Sequence, residues 1–248
     1  MTTPGVEAIG NYNKVMALTP FHKNYLHVTQ GVPLDKIWVT RNGFVPERFS
    51  DGPWEKDPFQ FVFSSSPDRG LEQCMRVLDK VRGVYPQVKL SVFYGIEHLD
   101  NYGLKDMRLK LERMFEERKE WVTYYGKTEQ TELMRHFKKA AYNVQPSSWI
   151  ETSCISALEL VFCGIYPIFR AVGGVVDTLK PAVEKGMASL VDSNCITESE
   201  YQVYVDEVLK AIAEERYKRV IMDAKEYSWE LVAKNWLEEL PKMAYGSV

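Results

Sequence analysis

The stretch NVQPSSWIETSCISALELVFCGIYPI, residues 143–168, decides how this chain is read. A short buried strand, AYNVQ, runs into Pro146 and Ser147; a polar loop follows, and then an apolar segment whose spacing predicts a helix over Ser153–Cys163. Gly164 stops that helix before GIYPIFR, which reads as the next strand. Strand, loop, helix, strand is the unit from which parallel sheets are built. Within it, Glu151 and Glu159 stand eight positions apart, across a tight turn and the helix that starts there.

The same alternation extends outward on both sides. Toward the amino end, FQFVFSS (Phe59–Ser65) predicts the first strand of the series. Leu71–Val84 follows with Leu71, Cys74, Met75, Leu78 and Val81 along one helical stripe, and KLSVFYG supplies a strand at Lys89–Gly95. Asp106–Glu120 predicts a charge-laced helix with Met107, Leu111, Met114 and Phe115 inward, WVTYYG a strand, and Glu129–Ala140 a helix. Toward the carboxyl end, ASLV at Ala188–Val191 reads as a last strand, Glu198–Glu215 as a helix, and Ser228–Leu240 as a Trp-bearing amphipathic helix. The fold expected is α/β, a doubly wound parallel sheet of Rossmann-like type. Before Phe59 the pattern differs: one helix around HKNYLHV within Tyr12–Thr29, a lone strand IWVT at Ile37–Thr40, and turn dipeptides at Asn42-Gly43 and Gly52-Pro53. These residues form a short amino-terminal appendage.

Composition narrows the function classes. With 248 residues and 45% hydrophobic content the chain can bury one large core. Its 31 basic and 34 acidic residues nearly cancel, so no overall field draws it to nucleic acid or to an anionic membrane. Cys74, Cys154, Cys163 and Cys195 lack metal spacing and read as reduced, buried thiols, with Cys154 and Cys163 too far apart on one helix to bridge. The polar amino terminus MTTPGVEAIGNYNK carries no signal-peptide core, and no run approaches the roughly 18 apolar residues of a membrane span. A cytoplasmic location is expected. His22, His27, His98 and His136 show no ligand spacing, so no metal is expected. The motifs GxSxG, HExxH and the Walker loop are absent, and so is the GxGxxG opening of an oxidoreductase.

In a doubly wound sheet, ligands sit beyond the carboxyl ends of the strands. Three such places carry polar groups here: Ser64, Ser65, Ser66 and Arg69; Gly126 and Lys127; and the loop from Pro146 and Ser147 to Ser153. A diphosphate needs cations and free backbone N–H groups; a helix start offers the latter at Thr152, Ser153, Cys154 and Ile155, while Arg69 and Lys127 could supply charge. A ribose diol needs a paired acceptor, which the Glu159 carboxylate provides if its face turns to the cleft. Each residue also has a plainer reading. A lone Glu in ALELVF ordinarily faces solvent, Glu151 answers a helix dipole, Arg69 marks a loop entering a helix, and Lys127 is simply solvated. Gly173-Gly174 either brings backbone N–H groups to a ligand or makes a plain turn.

Taken together, these segments resemble the carboxyl-terminal, donor-binding half of a GT-B glycosyltransferase of the retaining group called family 4. SSSPDRGLEQCMRVL resembles that family's strand-to-helix segment with a basic residue before Gly, and VTYYGKTEQTEL its Val-x-Phe-x-Gly stretch. The block from Asn143 to Ile168 resembles its Pro-Ser, E-x7-E and Ala-x-Gly-x-Pro-Val sequence, and GGVVDTL the Gly-Gly-x-x-acid that follows. IWVTRNGFVPERF is similar to the interdomain segment, and YSWELVAKNWLEEL to the closing helix. The resemblance implies a hexosyl- or deoxyhexosyltransferase that takes a nucleoside-diphosphate sugar as substrate, with retention, no cofactor and no metal, and passes the sugar to a glycan or other hydroxyl acceptor. It implies that Glu159 holds the ribose, that Glu151 lies beside the donor sugar, that Arg69 and Lys127 meet the diphosphate, and that the 152–155 backbone contacts phosphate and sugar. It divides the chain into residues 1–50, a remnant of the amino-terminal GT-B domain, and residues 51–248, the donor-binding domain. Two departures stand out: serines occupy the place of one phosphate-binding Arg, and Glu151–Cys154 (ETSC) replaces Glu-x-Phe-Gly, a less permissive backbone. Two-domain members also carry a whole amino-terminal domain, so the expectation is that the chain is a segment of a larger polypeptide, that a partner domain or a second copy supplies the missing face, or that the site works unusually open. The alternative expectation is a non-catalytic module that binds nucleotide sugar or docks on another transferase.

Overall fold

A computed structural model describes residues 12–49, 52 and 54–245. The first eleven residues of the polar amino terminus and Pro53 of the Gly52-Pro53 turn lie outside them. Six parallel strands, β3 (Asp57–Phe63), β4 (Lys89–Phe93), β5 (Val122–Gly126), β6 (Ala140–Gln145), β7 (Tyr166–Arg170) and β8 (Ser189–Val191), form one sheet in the order β5-β4-β3-β6-β7-β8. The chain builds outward from β3 to β5, then returns to the other side of β3 and builds outward again. The order therefore reverses between β3 and β6, and connections leave these two strand ends in opposite directions, opening a crevice. This is the Rossmann-like doubly wound sheet expected from the sequence.

The apolar run of β6 does not alternate because all six of its residues are buried, as in a strand covered on both faces. Of its two amides, that of Asn143 donates from Nδ2 to the Val62 carbonyl across the sheet at 2.8 Å. On α2 (Leu71–Arg82) the predicted stripe of Leu71, Cys74, Met75, Leu78 and Val81 is buried, and α2 packs on α7 (Glu198–Ala213). The two-sided cover is completed by α3 (Lys105–Glu117), α4 (Gln130–Lys139), α5 (Ile155–Phe162) and α6 (Val175–Glu184). Sequence periodicity assigned no element to α6, whose run is interrupted by Pro181. All four cysteines are free and buried, with Cys154 and Cys163 as the residues flanking α5.

The appendage departs from expectation. The helix near HKNYLHV is α1 (Pro20–Gln30), entered through Thr19 as N-cap with Pro20 at the first helical position. It is preceded by a short strand, β1 (Val15–Ala17), which pairs in parallel with β2 (Ile37–Val39), so IWVT is not a lone strand. Three residues carry too little periodicity to separate a strand from the helix that follows it. Ala17, Leu26, Val32 and Ile37 form a small core of their own, whereas Phe44 and Phe49 join the main one, with ring centroids 5.1 and 5.4 Å from Phe162. Phe44 is thus part of the main core. Phe21 and Tyr25 stack on each other along α1, and Tyr25 remains 39% exposed. The last helix, α8 (Trp229–Tyr245), returns to the appendage, where Trp236 Nε1 donates to Thr40 Oγ1 at 2.6 Å. No described helix is long and apolar enough to cross a membrane.

Candidate functional site

The crevice between β3 and β6 is built from the loops that leave those strands. Ser65, buried at the end of β3, donates to Gln145 Oε1 at the end of β6 (3.0 Å) and ties the two rims together. Ser66 Oγ donates to the Asp68 carboxylate and meets His98 Nε2 at 3.1 Å, so the imidazole is the donor in that contact. Gly70 then adopts φ +100°, and a Cβ there would come within 3.0 Å of the Pro146 carbonyl. Only glycine allows the start of α2 to lie against the 146–147 backbone. Arg69 is carried by this approach onto the loop after β6.

There Arg69 Nη1 donates to Glu151 Oε1 at 2.6 Å, and its guanidinium carbon lies 5.3 Å from the centre of the Trp149 ring. The pair is graded in depth, with side-chain exposure of 34% for Arg69 and 19% for Glu151. Trp149, 51% exposed, forms the outer lip, and its backbone N–H is held by Ser147 Oγ at 3.1 Å. Burial raises the Glu151 carboxyl above its ordinary pKa and Asp68 adds to this, while Arg69 opposes both. Structure thus brings Ser66, Arg69, Pro146, Ser147 and Glu151 to one rim.

The loop from Thr152 to Ile155 is fixed from two directions. The Gly174 N–H donates to the Glu151 carbonyl at 2.6 Å, and a Cβ on Gly174 would fall 2.3 Å from the Thr152 carbonyl oxygen. The Gly174 N–H is therefore spent on the loop, and both glycines pack too closely on residues 151 and 152 to admit a Cβ. From the appendage, Thr19 Oγ1 donates to the Thr152 carbonyl (2.7 Å), Asn42 Nδ2 to Ser153 Oγ (3.2 Å), and the Phe21 N–H to Asp177 Oδ2 on α6 (2.6 Å). These bonds engage residues 152 and 153 outside the helix, so α5 starts at Ile155, not at the predicted Ser153, and Cys154 stands extended at the N-cap. A cysteine brings no capping oxygen, so the first-turn amides of α5 face the rim without one.

Glu159 lies one turn into α5 and is half-buried, not on the solvent side that its spacing favoured. Its carboxyl pKa is raised by burial and drawn back by Arg48, and no hydrogen bond reaches it among the described residues. Gly126 and Lys127 are placed differently. They follow β5, two strands from β3 and so on the order of 10 Å along the rim, and Lys127 is exposed there with no ion pair among the described residues. The β4–β5 rim carries a feature that sequence did not signal: Tyr94 has φ +115°, strained for an aromatic residue, with its N–H donating to the Gly126 carbonyl at 2.8 Å and its ring edge against His98. Arg48, Thr19, Asn42 and Trp149 also escaped the sequence reading; of these only Thr19, before Pro20, bears a local signature. Among the described residues no three His, Cys, Asp or Glu gather as a metal would require.

The Arg69–Glu151 ion pair at the switch-point crevice, the start of α5 beside it and Glu159 half-buried one turn further along define a doubly wound α/β protein with a polar, charged crevice at its sheet rim. The chain belongs to the family described as glycosyl transferases group 1, whose profile matches residues 46–228. No curated protein sequence matches it. Among solved structures it is similar to a glycosyltransferase from Rickettsia africae ESF-5 (15% identity, TM-score 0.69, covering 100% of this chain and 69% of that one). It is similar also to a sucrose-phosphate synthase from Thermosynechococcus elongatus (18%, 0.70, 98% and 61%). A third likeness is to Anabaena HepE in complex with UDP and glucose (16%, 0.74, 95% and 65%). At these identities the likeness is one of fold, the GT-B glycosyltransferase fold, and the chain spans about two thirds of the length of those proteins.

Proposed function

We propose that this chain binds a nucleoside-diphosphate sugar in the β3–β6 crevice and transfers its hexosyl or deoxyhexosyl group, with retention and without a metal, to a hydroxyl acceptor. One observation carries the reading: Arg69 and Glu151 pair at the switch point of a group 1 glycosyltransferase, beside the start of the helix that bears Glu159. In this reading the half-buried Glu159, whose carboxylate meets no hydrogen-bond donor among the described residues, accepts the ribose hydroxyls. Arg69 and the first-turn amides of α5 take the charge that develops on the leaving diphosphate. Lys127 reaches the phosphates or base from the flank. Pro146, Ser147 and the residues from Thr152 to Ile155 shape the wall, and Glu151 lies beside the sugar. Residues 1–50 act as remnant and interdomain segment, and a partner domain or second copy completes the acceptor side.

Support for a uridine nucleotide comes from the Anabaena protein, which was solved with UDP and glucose. Titration calorimetry with UDP, GDP and dTDP tests the site. Glu159→Ala and Arg69→Ala should each weaken binding at least roughly tenfold, the scale of one lost charge-assisted contact; unchanged affinity in both variants would remove the assignment. Turnover that survives EDTA is expected. The GtfA/B complex, a solved structure of the same fold (14% identity, TM-score 0.73), motivates a second reading, a nucleotide-sugar-binding module that works with a partner. Binding without hydrolysis or transfer, across a sugar-nucleotide panel and candidate acceptors, would favour it.

A further inference from the structure

The Arg69–Glu151 pair has a property that a simple phosphate clamp lacks: the cation meant for the donor is already neutralised. We infer that Glu151 and the donor diphosphate compete for the Arg69 guanidinium, and that this competition selects a sugar-bearing donor over the spent nucleoside diphosphate. This rests on the reading of the crevice given above.

Geometry supplies the reasons. The ion pair is a single contact, Nη1 to Oε1 at 2.6 Å, and not the two-pronged fork that makes Arg–carboxylate pairs hard to exchange. Trp149 lies against the guanidinium and keeps it at the rim whichever anion holds it. Glu151 is the deeper partner, 19% exposed against 34%, so it cannot recover full hydration when Arg69 is taken away. Asp68, beside Arg69 and near enough to raise the Glu151 pKa, makes an unpaired carboxylate there costlier still.

A diphosphate that captures Arg69 therefore leaves Glu151 buried next to a second anion. Sugar hydroxyls are donors and can satisfy the stranded carboxylate; a free nucleoside diphosphate brings none to that position. The intact donor thus exchanges one partner of Glu151 for another, whereas the product leaves it with nothing. Once the sugar departs, Glu151 recaptures Arg69 and the diphosphate loses its counter-charge. Glu151 is in this account a specificity residue that favours donor entry and product release.

The test compares UDP, UDP-glucose and inorganic pyrophosphate by titration calorimetry on the full chain, its Glu151→Gln variant and its Arg69→Ala variant, with GDP and dTDP in place of UDP if either binds better. Gln keeps the size and the acceptor oxygen and removes the charge, and matching thermal unfolding midpoints verify that both variants fold. Glu151→Gln should bind UDP and pyrophosphate about three- to tenfold tighter, the scale of a partly exposed ion pair no longer in competition. UDP-glucose should gain less, so the preference for the sugar-bearing form shrinks. Unchanged or weaker binding of UDP and pyrophosphate by Glu151→Gln, with Arg69→Ala still weakening both, overturns the competition while leaving the site in place. Unchanged binding in Arg69→Ala, or no binding of any probe to the unaltered chain, overturns the site itself and the competition with it.

Discussion

At Glu159 burial and chemistry pull against each other. Burial raises its carboxyl pKa, and Arg48 offsets only part of that. A folded-state pKa above the unfolded value of about 4.3 means that the folded chain keeps this proton longer. The associated stability is complete below the unfolded pKa and is lost as pH rises through the folded one, so at pH 7 the ionised side chain is a net burden on the empty protein. Glu159→Gln should therefore raise the unfolding midpoint at pH 7 by a few degrees, a shift worth about 1 kcal/mol or less, and should leave it unchanged below about pH 4. The same variant should bind nucleotide more weakly. A midpoint that falls at pH 7 would show Glu159 to be a structural residue. Spacing located this residue but pointed it at solvent, because a lone Glu in an apolar helix ordinarily lies there. Its actual surroundings come from Arg48, more than a hundred positions away and unmarked by any pattern.

At the scale of elements, the site depends on how the loop entering α5 is held. Helix α6 begins at the Gly173-Gly174 turn, and that turn presses directly on residues 151 and 152. Gly174 has an ordinary helical φ of −68°, so a substitution there is opposed by contact and not by backbone preference. Gly174→Ala places a carbon 2.3 Å from the Thr152 carbonyl oxygen, and the loop or the helix must move. A loss of more than about 2 kcal/mol of stability is expected in urea denaturation, together with weaker nucleotide binding. Most strands and helices of the main sheet were legible because their pattern spans enough residues, α2 as a stripe of five; α6 was not, its run being interrupted by Pro181. β1 was not, since three residues cannot display a period. The start of α5 was misplaced by two residues because Thr19 and Asn42 engage Thr152 and Ser153.

Across the whole molecule, the appendage touches both the site and the carboxyl-terminal helix. Thr19 and Asn42 hold the 152–153 loop, while Thr40 receives the Trp236 Nε1–H bond and Phe44 exchanges backbone hydrogen bonds with Tyr227 and Trp229 at 2.7 and 3.1 Å. A movement of the appendage is thereby felt at the loop beside Glu151. Trp236→Phe keeps an aromatic ring and removes one hydrogen bond, so a global loss of about 0.5–1.5 kcal/mol is expected. Hydrogen exchange should quicken in residues 37–44 and, through Thr19 and Asn42, at 152–153; exchange altered only within α8 would argue against the coupling.

Sequence by itself determined the strands of the sheet, all its covering helices but α6, and the family, because hydrophobic period and a block such as Pro146–Glu159 are local and survive without knowledge of what lies opposite. It also named Arg69, Glu151 and Glu159. Tertiary structure alone decided that Arg69 is already paired with Glu151, that Glu159 is half-buried, and that the two glycines after β7 pack against the 151–152 backbone. Each of those outcomes depends on atoms brought together across 23 to 111 positions of chain, as between Gly174 and Glu151 or Asn42 and Ser153, and no periodicity encodes a meeting at that separation.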